Sequence, residues 1–443
     1  MATPARPYDL IVWGASPVLL CSPQASHLQQ LSLLAGASGF TGRLVTEHLA
    51  KAYTGPTSKL RWALAGRSQA KLEAVRASLG PQAAGVPIAV ADPAAPGALD
   101  ALVGSAAVVL AMAGPYSLYG MPVVDACVRM KSDYCDITGE SPFMRKAIDA
   151  HNDTAKAQGS VVVHTVGYDS VPWDLGAMLA VKHLREQPGV SADAAISVEG
   201  FVGSTMGGFS GGTIASMLNM FNEKDTKALM DSKALNPEGG ESRGGRPQSG
   251  PAYSPVAKRW TMPSVMAAVN EKVVNRSAAL HPGLYGPGFS YKESTLAPNA
   301  VGAYIGSGAM GFGALSLAFP PSRWLLQHTV LPAPGQGPGT HMRETGHFSA
   351  LFVGTAAGTN ARSFVRISKK NADPGYNATS IMAAEAALCL ALQRDACPCV
   401  TRGACGVTTP AVALGDVLVD RLKAQGFDID VRTFGADESV PDA

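Results

Sequence analysis

Six apolar runs of strand length punctuate the first 170 residues, and helix-length segments fill the gaps between them. The runs are Asp9–Trp13, Leu60–Ala65, Val86–Val90, Ala106–Met112, Tyr134–Ile137 and Val161–Val166. The helical segments are Gly42–Ala52, Gln69–Leu79, Pro122–Met130 and Pro142–Gln158. Short strands alternating with helices of roughly ten or more residues imply βαβ crossovers, and so an α/β, doubly wound parallel sheet. Such a sheet binds ligands at the carboxyl ends of its strands, near the point where strand order reverses.

The first such end is ambiguous, because the tripeptide Gly-Ala-Ser occurs twice. Gly14-Ala15-Ser16 follows Leu10-Ile11-Val12-Trp13, and Gly36-Ala37-Ser38 follows Leu31-Ser32-Leu33-Leu34-Ala35. Only the second copy continues into Gly39-Phe40-Thr41-Gly42. The resulting Gly36-x-x-Gly39-x-x-Gly42 pattern opens a helix after an apolar run. Glycines suit this position because a Cβ would bar a diphosphate from the backbone N–H groups at the helix N-terminus. Two arrangements satisfy the pattern. Leu31–Ala35 can take the first-strand position and keep the glycine turn contiguous, or Asp9–Gly14 can take it, leaving a long excursion before Gly39. Ile11-Val12-Trp13 has the stronger β preference, and Ser32 interrupts the continuous apolarity expected of a central parallel strand. The ligand contacts are assigned to the contiguous turn: Gly36, Ser38, Gly39, Phe40, Thr41 and Gly42.

The later strand ends supply further candidates. In NAD-binding sheets the second strand ends in an acidic residue that holds the ribose 2′-hydroxyl. Here it ends in Gly66-Arg67-Ser68, and a guanidinium suits a 2′-phosphate, which predicts NADP(H) over NAD(H). Asp92 ends the third strand, either to accept from the adenine amino group or to cap the next helix. Gly114 and Pro115 follow the fourth strand and should run along the cofactor. Tyr116 and Tyr119 are candidate proton donors or aromatic walls. Asp136, Glu140, His164, Tyr168, Asp169 and Asp174 cluster after the fifth and sixth strands, where a substrate would sit. Asp169 joins Tyr116 and Tyr119 as a candidate catalytic residue with no role assigned, and several of the cluster are equally candidate helix caps, since Asp136 and Ser170 precede helix-like segments.

Beyond Val171 the rhythm changes, which places a second, α+β domain at 173–399 to carry the substrate and a homodimer contact, after a dinucleotide-binding domain at 1–172. Strands are predicted at Asp193–Gly200, Phe348–Gly354 and Ser363–Ser368. A glycine turn and helix are predicted at Gly207–Phe221, and a mobile Gly/Pro/Ser-rich loop over 236–255. Helices are predicted at Ala378–Gln393 and Pro410–Gln425, the latter within a 400–443 segment that returns to the first domain. Residues Ser294–Ser322 carry no charge. The apolar segment 301–319 within them reads in three ways: a buried or interfacial part of the second domain, a loop inserted into a membrane or lipid-droplet surface, or a membrane span of the roughly 20 residues required.

Composition narrows the partners. A net charge of +2 without a Lys/Arg-rich run argues against nucleic acid. Seven scattered cysteines suit a reducing compartment. Cys397, Cys399 and Cys405 lack the spacing and nearby His for a four-ligand site, so no metal is expected.

Several stretches resemble the saccharopine dehydrogenase-like oxidoreductases: YDLIVWGAS joined to GFTGRLVTEHLA, then ALAGRS, AGPYSLYGMPVVDAC, DYCDITGE, GYDSVPWDLG, GGFSGGTIASML, ADPGYNATSIMAAEAALCLA and GVTTPAVALGD. The resemblance spans most of the chain. It implies a Rossmann-like NADP-binding domain with a second domain attached. It also implies hydride transfer to a lipid-like enoyl or carbonyl substrate, as in the mycobacterial trans-acting enoyl reductases. Animal and plant members are associated with lipid droplets and mitochondria. An intracellular place is thus implied, on the cytosolic face of a droplet or membrane or in the mitochondrion. The alternatives are a non-catalytic lipid-surface protein built on the cofactor fold and a saccharopine-type amino-acid dehydrogenase. Removing residues 17–38 restores the uninterrupted family pattern, so this stretch resembles an insertion between the first strand and its loop.

Overall fold

The computed structural model describes residues 6–13, 39–54, 58–92, 95, 97–208, 231–238, 247–329 and 336–441. The first domain alternates strand and helix as β1 (Tyr8–Trp13), α1 (Phe40–Tyr53), β2 (Trp62–Gly66), α2 (Gln69–Ser78), β3 (Ile88–Val90), α3 (Ala98–Gly104), β4 (Ala106–Ala111), α4 (Met121–Met130), β5 (Asp133–Asp136), α5 (Ser141–Gln158), β6 (Val161–Val163) and α6 (Val171–Arg185). Its strands pair in parallel in the order β13-β6-β5-β4-β1-β2-β3, where β13 (Gly406–Thr408) arrives from near the C-terminus. The order reverses between β1 and β4, which puts the ligand crevice beside the end of β1.

β1 settles which copy of the repeated tripeptide follows the first strand. Leu10 pairs with Trp62 on one side and Val108 on the other, and Leu10, Ile11, Val12 and Trp13 are all buried. The expectation that Leu31–Ala35 takes this position is therefore corrected. A strand covered on both faces gains about 1.5–3 kcal/mol per large apolar side chain. Leu10–Trp13 supplies an unbroken apolar run where Ser32 would interrupt one. Residues Leu31–Ala35, Gly36 and Ser38 lie outside the described residues.

The second sheet has the order β14-β12-β11-β7-β10-β9-β8. It comprises β7 (Ile196–Met206), β8 (Ala252–Ser254), β9 (Arg259–Met262), β10 (Ser290–Leu296), β11 (His347–Ala356), β12 (Arg362–Lys369) and β14 (Asp428–Thr433). β10 runs parallel to β7, and the remaining pairs are antiparallel. α6 and α7 (Ala267–Leu280) pack between this sheet and the first domain. At Gly176 of α6 an added Cβ would collide with the Phe352 ring of β11, so glycine lets helix and sheet approach closely.

Two boundaries differ from expectation, and a third prediction lies outside the described residues. Ala252–Ser254 of the predicted mobile loop forms β8, paired to β9, whereas 239–246 lies outside the described residues. The helix and turn predicted at Gly207–Phe221 also lie outside them, apart from Gly207 and Gly208. The C-terminal segment serves both domains: β13 extends the first sheet, and β14 pairs with β12 of the second. The segment between them is helical at Pro410–Ala413 and again at α11 (Gly415–Ala424), which packs on α10 (Thr379–Leu392). There the buried Glu385 of α10 accepts from His48 Nε2 at 2.9 Å, Tyr53 Oη at 2.8 Å and Arg421 Nε at 2.8 Å.

The uncharged segment forms α8 (Ala300–Ala318), followed by α9 (Pro320–Thr329). Asn299 caps α8 by accepting from the Gly302 amide at 2.9 Å. The expectation of a buried segment is corrected, because Ala303 is the one buried residue of α8, and Phe312 and Leu315 are 75% and 71% exposed. Nothing in α8 steers one face inward: it is apolar all round, and no charged residue marks an outer side.

Candidate cofactor and active site

Helix α1 begins at Gly39, which is extended (φ −66°, ψ 161°) and makes no side-chain cap. The first turn carries no acidic side chain. Among the described residues no side chain caps its amides, as a turn that receives an anion requires. Phe40 and Thr41 follow Gly39, and Gly42 is buried within α1. The second domain closes over this turn. Tyr376 meets the Phe40 ring edge-on at 5.1 Å between centroids, and the Arg343 guanidinium lies 5.7 Å from the same ring. Neither Arg343 nor Tyr376 was marked by the sequence reading, because neither belongs to a strand-end motif.

Arg67 stands at the end of β2, half-buried, with its Nε enclosed and without a hydrogen-bond partner. Burial lowers its pKa, while Asp92 and Tyr119 raise it by their charge. That coupling gathers the ends of β2 and β3 and the loop after β4 around one point. An unsatisfied guanidinium N–H at the ribose end fits a 2′-phosphate. Tyr119 therefore lies near Arg67.

After β4, Pro115 precedes a short helix at Tyr116–Tyr119. Glu140 caps that helix, accepting from the Tyr116 amide at 2.8 Å and the Ser117 amide at 2.9 Å. Glu140 therefore positions the Gly114-Pro115 loop. Tyr116 is buried, and its hydroxyl donates to the Ala111 carbonyl at 2.9 Å, with burial pushing its pKa far up. Its geometry is that of a packing residue beneath the loop rather than a donor to substrate.

The other polar candidates separate by role. Asp136 accepts from Tyr134 Oη at 2.9 Å, His164 Nδ1 at 2.8 Å and the Thr138 amide at 3.0 Å. Asp174 accepts from Ser277 Oγ and, at 2.7 Å, from the Ala411 amide, pinning α6 to α7 and the C-terminal segment. Tyr168 donates its amide to Thr379 Oγ1 at 3.0 Å, and its ring packs on Trp173 and Phe348. Asp169 differs from all of these. Its residue is part-exposed, yet Oδ1 is enclosed and has no partner among the described residues. Burial pushes its carboxyl up to about 7, so it retains a proton near neutrality.

Two further acids face this region from the second domain. Glu293 of β10 accepts from Ser264 Oγ at 2.7 Å, and its carboxyl is pushed up to about 8, chiefly by burial, with Asp169 and Glu271 adding charge repulsion. Glu271 of α7 accepts from the Glu293 amide at 3.0 Å and is pushed up to about 7, again chiefly by burial. The signal for Glu293 is present in Ser290–Leu296: Tyr291 and Glu293 share the inward face of an alternating strand. An inward charge in a strand marks a functional or paired site.

A doubly wound sheet, uncapped amides at its first helix and an arginine at the end of β2 together define an NADP(H)-binding oxidoreductase fold. The comparisons with known proteins agree. The sequence profile of the saccharopine dehydrogenase NADP-binding domain matches residues 33–163. That match starts too late to include Tyr8–Trp13, the strand that fills the first position. A Mycobacterium tuberculosis protein provisionally named a trans-acting enoyl reductase is 38% identical over 421 residues, covering 90% of this chain and 96% of that one. The trans-acting enoyl reductase of Mycobacterium leprae is 35% identical over 415 residues, covering 89% and 96%. Among solved structures, an apo saccharopine dehydrogenase (L-Glu forming) from Saccharomyces cerevisiae shares 12% identity with a TM-score of 0.43, covering 90% and 98%. The chain belongs to the saccharopine dehydrogenase-like oxidoreductase family, and its cofactor is NADP(H).

Proposed function

We propose that the chain reduces a lipid-like enoyl or carbonyl substrate, with Asp169 as the proton donor. Bound NADPH would supply the hydride. Gly39, Phe40, Thr41 and Gly42 would hold its diphosphate, and Arg67 its 2′-phosphate. A hydride added to one end of the substrate double bond leaves a carbanion or alkoxide at the other. The Asp169 carboxyl delivers its proton there and becomes a carboxylate, so the balance closes with one oxidised cofactor and one reduced bond. The observation that carries this reading is Asp169 Oδ1, enclosed after β6 without a partner among the described residues, in a carboxyl that burial pushes up to about 7. The names of the mycobacterial relatives support an enoyl substrate. Incubating the purified chain with NADPH and enoyl or keto acyl lipids tests the reading. It predicts substrate-dependent loss of NADPH absorbance, and no turnover across such a panel would sink it.

The exposed α8–α9 pair favours a second reading, in which the chain docks on a lipid surface, either to reach its substrate or as a non-catalytic resident. Val301, Tyr304, Ile305, Phe312, Leu315, Phe319, Trp324 and Leu325 are all exposed on this one helix pair, and grouped exposed apolar side chains mark interaction surfaces. Co-flotation of the chain with phospholipid-coated oil droplets tests it, and a chain that stays in the aqueous fraction counts against it.

A further inference from the structure

A strap from the second domain covers the head of α1. It comprises residues 336–346 and is helical at Thr340–Thr345. An added Cβ at Gly337 would collide with the Phe40 ring, so the strap lies directly on that ring. At Gly346 an added Cβ would meet the Asp373 backbone, which seats the other end of the strap against the one-turn helix Pro374–Ala378. Arg343 is fixed between these two points. Its Nε donates to the Pro338 carbonyl at 3.2 Å, Nη1 to Asn377 Oδ1 at 3.1 Å and Nη2 to Thr340 Oγ1 at 3.2 Å. Asn377 Nδ2 in turn donates to the Arg343 carbonyl at 3.0 Å. The acceptors of the guanidinium are neutral, and among the described residues one N–H on each terminal nitrogen is left over. Asp373 feels the Arg343 charge, but its two carboxylate oxygens accept from the Tyr376 and Asn377 amides at 3.2 and 2.9 Å. The guanidinium is thus aimed and only partly offset, 5.7 Å from the centroid of the Phe40 ring.

We propose that Arg343 is a cofactor-binding residue, the cation that the second domain brings to the NADPH diphosphate at the head of α1. Phe40 joins the two halves of this site: its backbone belongs to the amide turn and its ring to the strap. A diphosphate carries two negative charges, against which a helix N-terminus supplies about half a positive one. Cover from the second domain removes water there, and a charge enclosed without a partner is costly. Arg67 serves the 2′-phosphate at the end of β2, and Arg43, a cation within α1 itself, is exposed. Arg343 reaches the same turn already oriented by Asn377, Thr340 and Pro338, so little side-chain freedom is lost on binding. Its two remaining N–H groups suit phosphate oxygens. The coenzyme is then held from both domains. Because the diphosphate is common to NADPH and NADH, Arg343 contributes equally to both, unlike Arg67.

Calorimetric titration of the full chain with NADPH, NADH and adenosine 2′-phosphate tests the assignment without any substrate. Arg343→Gln should weaken both dinucleotides by the same factor, about 10–100-fold, and leave adenosine 2′-phosphate, which has no diphosphate, bound as before. Arg343→Lys keeps the charge but not the bonds to Asn377 and Thr340, and should recover part of the loss. A residue that only braced the strap would fail equally as Lys and as Gln. Unchanged dinucleotide affinity in Arg343→Gln, a loss confined to NADPH, or a Lys variant no better than Gln overturns the proposal. Should the variants fail to fold, a crystal of the native chain with NADPH decides. The guanidinium within hydrogen-bond distance of a diphosphate oxygen supports the assignment, and a diphosphate on the α1 amides with Arg343 out of reach overturns it.

Discussion

Replacing Asp169 by Asn separates what its proton does for catalysis from what its burial does to stability. Folding raises this carboxyl from 3.8 to about 7. The folded chain therefore binds the proton more tightly than the unfolded chain. Below about pH 4 both states are protonated and the residue costs nothing. Between about pH 4 and pH 7 the unfolded state ionises first, and the native state loses ground steadily. Above about pH 7 the loss is complete. A difference of roughly three pKa units at 1.36 kcal/mol each sets an upper bound of about 4 kcal/mol. Because the residue is part-exposed, water relieves some of this, and about 2–3 kcal/mol is the expected size. Asn cannot ionise, so Asp169→Asn should match the native chain near pH 4 and exceed its stability at pH 8 by that amount. Urea unfolding at the two pH values reads the difference. The same substitution should leave NADPH affinity unchanged and lower turnover about a hundredfold or more. Turnover of the native chain should fall as pH rises past about 7, where the donor loses its proton. A stability difference that does not change with pH would refute the buried-acid argument, and undiminished turnover would refute the donor assignment.

Arg67→Ala should weaken NADPH binding about 10–100-fold and leave NADH binding nearly as it was, because a charge-assisted pair to the 2′-phosphate contributes about 1.5–3 kcal/mol; fluorescence titration with both coenzymes checks it. Deleting Pro17–Ser38 joins Ser16 to Gly39 directly behind the strand that occupies the first position, so the shortened chain should bind NADPH at least as tightly as the full one by the same titration. Removing Val301–Phe319 should abolish co-flotation with lipid droplets and leave NADPH affinity intact, since α8 packs chiefly on β9 of the second sheet and on α9. Glu385→Ala strips the shared acceptor from His48, Tyr53 and Arg421 and should cost about 3–5 kcal/mol in urea unfolding.

Most of the first domain is legible because its signals are local. Leu10–Trp13, Ala63–Ala65 and Val108–Ala111 are continuous apolar runs, which is what a strand buried on both faces requires. Glycine spacing, by contrast, misplaced the first strand. A glycine motif reports where a helix begins, but says nothing about which upstream strand feeds it, and here strand burial outweighs contiguity in sequence. The second sheet is harder to read because its pairing is non-local. β14 joins β12 from some 60 residues away, its residues are half-buried at a sheet edge, and Asp428, Asp430 and Arg432 give it the look of a polar tail. α8 is illegible for the opposite reason: an apolar composition fits a core, an interface and a lipid surface equally, and its exposure among the described residues sets aside only the core.

The candidate site shows the same division. Arg67 and Asp92 are readable because a parallel sheet brings consecutive strand ends to one edge, so position along the chain predicts proximity. The role of each strand-end acid is not readable, since that depends on the donors it meets. Asp136, Glu140, Asp169 and Asp174 look alike in sequence. The first, second and fourth each meet two or more donors and hold the scaffold, whereas Asp169 has an enclosed oxygen that none reaches. Glu293 and Arg343 enter from elements whose contact with the first domain exists only once both sheets are packed. Chemistry at a domain junction is therefore the part of such a protein that strand-end reasoning misses, and the unsatisfied buried polar atom is the mark by which the structure reveals it.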